Sequence, residues 1–148
     1  MKGKILISIG IVLLFVAPIV LAEDQEKEIS VNEAMKFYCK TWINPAYNES
    51  TGYTAIKKMN KDGTFETYDK ETSESPMWEG RFEIEKSWVD KDGNIWLKMI
   101  FYDWAAKKYT LAKISEDGNV LEQIWAYKAY PTAVKPDEAH RYFIMKKK

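Results

Sequence analysis

The sequence predicts an all-β protein: an eight-stranded antiparallel up-and-down barrel with a short N-terminal helix. Three observations carry that prediction. Asp-Gly pairs stand at Asp62-Gly63, Asp92-Gly93 and Asp117-Gly118, and such pairs mark tight hairpins because Gly adopts positive φ at little cost. The runs between them are rich in β-branched and aromatic residues and have the length of strands. The connections are short, so successive strands pair with their neighbours, and closing that meander into a barrel removes two exposed sheet edges.

The elements follow in chain order. Residues 1–22 read as an export signal. Lys2 and Lys4 precede an apolar run over 5–16, and Val20 and Ala22 suit a peptidase cutting after Ala22. The rival is an uncleaved anchor, for which the apolar stretch is short. A cleaved signal predicts a secreted or periplasmic protein without stable membrane insertion. Residues 23–29 are charged and expected to be disordered. Ser30-Val31-Asn32-Glu33 is a capping-box pattern that predicts a helix at about 30–37. Strands are expected at about 37–44, 53–60, 64–69, 78–89, 94–103, 108–115, 119–128 and 140–146, making 30–148 one domain.

In strand 78–89, Trp78, Phe82, Ile84 and Trp88 alternate with Glu79, Arg81, Glu83 and Glu85, the pattern of a sheet with one wet face. Strand 94–103 is apolar on both faces, so its outer side is expected to be covered or to form a contact surface. Residues 69–76 form a polar loop. The late loop over 130–138, stiffened by Pro131 and Pro136, either lids one barrel end or crosses it.

Charge and rare residues narrow the function. Lys plus Arg and Asp plus Glu each number 22, which lacks the basic excess of a nucleic-acid binder. One Cys and one His exclude a disulfide framework, a Cys-rich zinc site and a His-clustered metal site. Cys39 reads as a packing residue and His140 as a surface residue beside Arg141, so no catalytic residue, metal or cofactor is expected. Asp90-Lys91-Asp92-Gly93-Asn94 lacks the Gly and Glu placement of a helix-flanked calcium loop and reads as a hairpin turn. Asn48-Glu49-Ser50 is a glycosylation sequon, meaningful only in a eukaryotic secretory pathway.

A barrel of this order, opening on Lys40-Thr41-Trp42 after a helical turn and ending on His140-Arg141-Tyr142-Phe143, resembles the lipocalin-like (calycin-type) group. That group opens its first strand with Gly-x-Trp and lays an Arg from near the last strand over the Trp. Trp42 matches; Lys40 stands where the Gly is expected. The resemblance implies that Arg141 covers Trp42 as a structural closure, and that the barrel binds small hydrophobic molecules without catalysis.

The aromatics, 6 Trp, 9 Tyr and 6 Phe, exceed what a core of this size needs. Trp78, Phe82, Trp88, Trp96, Tyr102 and Trp125 are the candidates to line a cavity for a small hydrophobic or amphipathic ligand. The same rings would also fill a small barrel solid, leaving a monomer that meets a protein or envelope partner through its surface. Lys98, Lys113 and Lys128 interrupt apolar strands, and any that points inward would pair with an anionic ligand head.

Overall fold

A computed structural model describes residues 26–44, 56–103, 106–136 and 141–148, with Arg141 as backbone only. The export signal, the sequon, the first part of the strand expected at 53–60, and His140 lie outside the described residues. The architecture is the expected closed antiparallel barrel of eight strands with one short helix. Its strands are β2 (Thr41–Ile43), β3 (Ile56–Met59), β4 (Thr64–Tyr68), β5 (Trp78–Val89), β6 (Ile95–Asp103), β7 (Lys107–Ile114), β8 (Val120–Ala126) and β9 (Arg141–Lys147). Each pairs with its sequence neighbour, and β9 closes on β2 through Trp42↔Lys147. The stretch expected to fray supplies β1 (Lys27–Glu28), which adds to the end of β5.

The helix α1 (Val31–Tyr38) begins at the capping box: Ser30 Oγ accepts the Glu33 N–H at 3.2 Å. It ends two residues before β2, and its Ala34 and Tyr38 are fully buried in the core. The three Asp-Gly turns share one geometry. Gly63, Gly93 and Gly118 take φ of +82°, +81° and +70°, and among the described residues no non-Gly residue has positive φ. Each Gly N–H bonds back three residues, to Asn60, Asp90 and Ser115. These are type I turns closed by a left-handed Gly, not the two-residue turns in which both central residues have positive φ. Asp62 accepts the Thr64 N–H at 2.9 Å, and Asp117 accepts the Asn119 N–H at 3.0 Å. In the middle turn that work passes to Asp90, which accepts from Asp92 N, Asn94 N and the Trp96 indole at 2.9, 2.9 and 2.7 Å.

Because the meander alternates direction, all three Asp-Gly turns fall at the end that carries α1. The opposite end carries the long connections. The helix end is filled. Tyr38, Trp42, Leu97, Met99, Ala112, Ile114 and Leu121 are fully buried. The Tyr38 ring meets Phe82 edge-on at 5.4 Å, and Phe82 stacks on Phe101 at 5.9 Å.

A bulge in β5 overturns part of the expected face pattern. The β5–β6 register slips between Ile84 and Lys86. Phe82 and Ile84 face the core before the slip, and Ser87 and Val89 face it afterwards, opposite Leu97 and Ile95. Trp88, expected in phase with Phe82, is therefore turned out. There it stacks on Trp96 at 5.9 Å with planes 9° apart. An extra strand residue reverses side-chain direction for everything beyond it.

Candidate functional site

The inner wall can be read from the register, since paired residues share a face. Toward the helix end it is apolar. Toward the end that carries the long connections it turns polar: Lys57 pairs with Thr67, Phe101 with Lys108, Gly80 with Asp103, and Thr110 with Trp125. Gln123 lies one inward step below Trp125, between Ala112 and Phe143.

Lys57 is the centre of this group. Its Nζ lies 4.0 Å from the Phe101 ring centroid and 5.3 Å from that of Phe65. Burial of the ammonium pushes its pKa down to about 7, Lys108 adds like-charge repulsion, and Asp103 opposes both. Lys108 is ion-paired with Asp103 and sits 4.8 Å from the Trp125 ring centroid. Thr67, Thr110 and Gln123 are buried, and Gln123 Oε1 has no hydrogen-bond partner among the described residues. The rim carries exposed rings: Trp78 is 40% exposed and Tyr127 60%, the latter edge-on to Trp125 at 5.1 Å. Two amines, two hydroxyls and one unpaired acceptor, walled by Phe65, Phe101 and Trp125, can hold a molecule with a polar oxygen-bearing end.

Of the six expected lining residues, the structure brings only three to the inner wall. Phe82 belongs to the filled core, Trp125 lies in the polar part of the inner wall beside Lys108, and Trp78 stands on the face that Thr67 shares. Trp88, Trp96 and Tyr102 are on the outer wall. Trp88 was displaced by the bulge. Trp96 and Tyr102 alternate against the inward Leu97 and Phe101, and Tyr102 lies beside Arg81, whose guanidinium carbon is 5.6 Å from its ring centroid.

The outer apolar face of β6 is partly covered, as one of the two expectations had it. Trp88, Leu111 and Ile124 form a second cluster outside the barrel, packed by Trp96, Val134 and Tyr142. The late loop crosses the wall instead of lidding the end. Tyr130 meets Tyr109 edge-on at 5.3 Å, and its hydroxyl donates to Glu85 at 2.6 Å. Lys98 lies 5.6 Å from the Tyr130 ring centroid, and Lys113 pairs with Glu122, so both lysines face outward. The inward lysines are Lys57 and Lys108, which sequence reasoning passed over. The signal was available: Lys57 is two residues from Met59, and Lys108 stands in phase with Thr110, Ala112 and Ile114.

The expected Arg141 closure is contradicted by register. Trp42 pairs with Lys147, whereas Arg141 pairs with Trp125, six residues away along β9, or about 20 Å at strand rise. The cation at Trp42 is Lys40, whose Nζ is 5.1 Å from the indole centroid and donates to the Gly118 carbonyl at 3.0 Å. Trp42 Nε1 donates to the Tyr38 carbonyl at 3.0 Å, which ties β2 to the end of the helix. The position that departs from the Gly-x-Trp pattern thus supplies the clasp.

Among the described residues no group of His, Cys, Asp or Glu is arranged to hold a metal ion, and no helix is long and apolar enough to cross a membrane. Comparison with protein-family models, curated proteins and solved structures finds no match for this chain.

Proposed function

We propose that this is an exported, lipocalin-like binding protein that takes a small amphipathic ligand into the open end of its barrel. The observation that carries this reading is Lys57, a lysine turned inward against two aromatic faces without a carboxylate of its own among the described residues. A half-buried amine against ring faces without a carboxylate partner carries a desolvation cost, and a ligand carboxylate or carbonyl oxygen reaching Lys57 and Lys108 offsets that cost. The apolar part of the ligand then lies against Trp125 and the rim rings Trp78 and Tyr127. No catalytic step is proposed for this site. Export rests on residues 1–22 and predicts a mature N-terminus at Glu23.

Titration with decanoate and with decanol, followed by tryptophan fluorescence, tests the reading. Decanoate is expected to quench saturably, more tightly at pH 6 than at pH 9, because a carboxylate favours charged Lys57. Decanol is expected to show little pH dependence, and Trp125→Phe to remove most of the signal. Failure of both probes, with only bare monomer in native mass spectra, refutes the proposal. That result would favour a second reading supported by the filled helix end: a solid barrel whose outer Trp88–Trp96 wall and crossing loop meet a protein partner.

A further inference from the structure

Four other lysines of the barrel are ion-paired. Lys58 pairs with Glu66, Lys113 with Glu122, Lys148 with Glu71 and Lys108 with Asp103. Of the two inward amines, Lys108 has both a ring and a carboxylate, whereas Lys57 has its nitrogen between two rings, 4.0 Å from the Phe101 centroid and 5.3 Å from that of Phe65, with no ion pair among the described residues. The groups that face it are Trp42 from β2, Phe65 and Thr67 from β4, Phe101 and Asp103 from β6, and Lys108 from β7. The one carboxylate in that set is already engaged by Lys108. An apolar wall with a neighbouring cation is the setting that keeps a lysine amine neutral and nucleophilic.

We propose that Lys57 is a covalent docking point for carbonyl compounds: its amine condenses with an aldehyde held at the open end of the barrel to give an imine. This rests on reading that end as the ligand site. The nitrogen lone pair attacks the carbonyl carbon and forms the C–N bond, while the C=O π pair moves to oxygen and takes a proton. The resulting carbinolamine loses hydroxide as water, with a proton from nitrogen, leaving C=N. One water is released and no oxidant or reductant is consumed. The enclosing rings of Phe65 and Phe101 slow the return of water, which favours the imine. With a pKa of about 7, half of Lys57 is neutral at pH 7, about a thousandfold more free amine than an ordinary lysine offers.

The purified protein is incubated briefly with benzaldehyde and cyanoborohydride, which traps the imine as a secondary amine, and the adducts are located by peptide mapping. The adduct on Lys57 is expected to form at least tenfold faster than on any exposed lysine, with a rate that rises through a midpoint near pH 7. Lys57→Arg is expected to lose that adduct and keep the slow surface labelling. Even labelling across the lysines, or a Lys57 midpoint in the ordinary lysine range, overturns the inference. Decanoate quenching is measured on the same sample. Quenching without a Lys57 adduct overturns the imine alone, and absence of both removes the ligand site as well.

Discussion

Lys57 gives the stability of this barrel an unusual pH dependence. In the unfolded chain its amine titrates at the ordinary value of 10.5, and in the barrel burial brings it down to about 7. Below pH 7 both states are protonated, and the folded state bears the full cost of the buried charge. Between the two values the unfolded chain binds the proton and the barrel does not, so unfolding free energy rises with pH. At 1.36 kcal/mol per pKa unit, the cost integrates to about 4 kcal/mol at pH 7 and about 2 kcal/mol at pH 9. The native protein should therefore gain about 2 kcal/mol between pH 7 and pH 9, a window in which carboxylates contribute no slope. Urea unfolding at pH 7, 8 and 9 measures it. Lys57→Met should flatten the curve and be the more stable protein at pH 7, the released charge cost exceeding a lost ring contact of about 1 kcal/mol. Parallel curves for the two proteins would refute a buried, depressed Lys57.

Four further outcomes follow from other parts of the barrel. Gly80→Ala should cost about 1–3 kcal/mol in chemical denaturation, because a Cβ there would collide with the Tyr102 carbonyl oxygen and come within 2.9 Å of the Phe65 ring. Lys40→Ala should cost about 1–2 kcal/mol, since it removes both the cation at Trp42 and the bond to the Gly118 carbonyl; thermal melts followed by far-ultraviolet circular dichroism read it. Asp90→Ala should cost about 2 kcal/mol or more, since Asp92, Asn94 and Trp96 all donate to that carboxylate. Cys39 should alkylate slowly at pH 8 in an iodoacetamide time course, because burial pushes its thiol up to about 11, leaving about a hundredfold less thiolate than an ordinary cysteine.

The hairpins were legible because their determinants are local. Asp-Gly spacing fixed three turns, and the strand expected at 78–89 coincides with β5. The capping box likewise fixed the start of α1, and the charged face Glu79, Arg81, Glu83 is exposed as its alternation implied. Face assignment failed where a non-local feature intervened. The slip after Ile84 leaves one mark, Lys86 standing in the phase of Phe82 and Ile84, but Trp88 resumes that phase and makes the strand read as unbroken. The Trp42 closure failed for a related reason. Which residue of β9 lies beside Trp42 is set by the stagger of barrel closure, and a motif at each chain end does not encode that stagger. Lys57 and Lys108 were missed because a lysine in a strand ordinarily marks the wet side.

The two barrel ends explain why the candidate site can exist at all. Three turns of the same tight geometry and one helix stand at the helix end, which is packed with Trp42, Leu97, Met99 and Ile114. Such packing supplies stability without disulfides, Cys39 being a free thiol. A barrel anchored there tolerates unfavourable burial: the Tyr38 hydroxyl has no hydrogen-bond partner among the described residues within the filled end itself, and toward the other end Lys57 and the Gln123 oxygen add to the cost. Buried polar groups without partners are rare in native interiors. An apolar residue at position 57 would remove the lysine's share of that cost, as Lys57→Met is expected to do. A Lys57→Met protein that is more stable at pH 7 but no longer quenched by decanoate would place stability and binding in opposition at one residue. A variant that binds decanoate as tightly as the native chain would break that link.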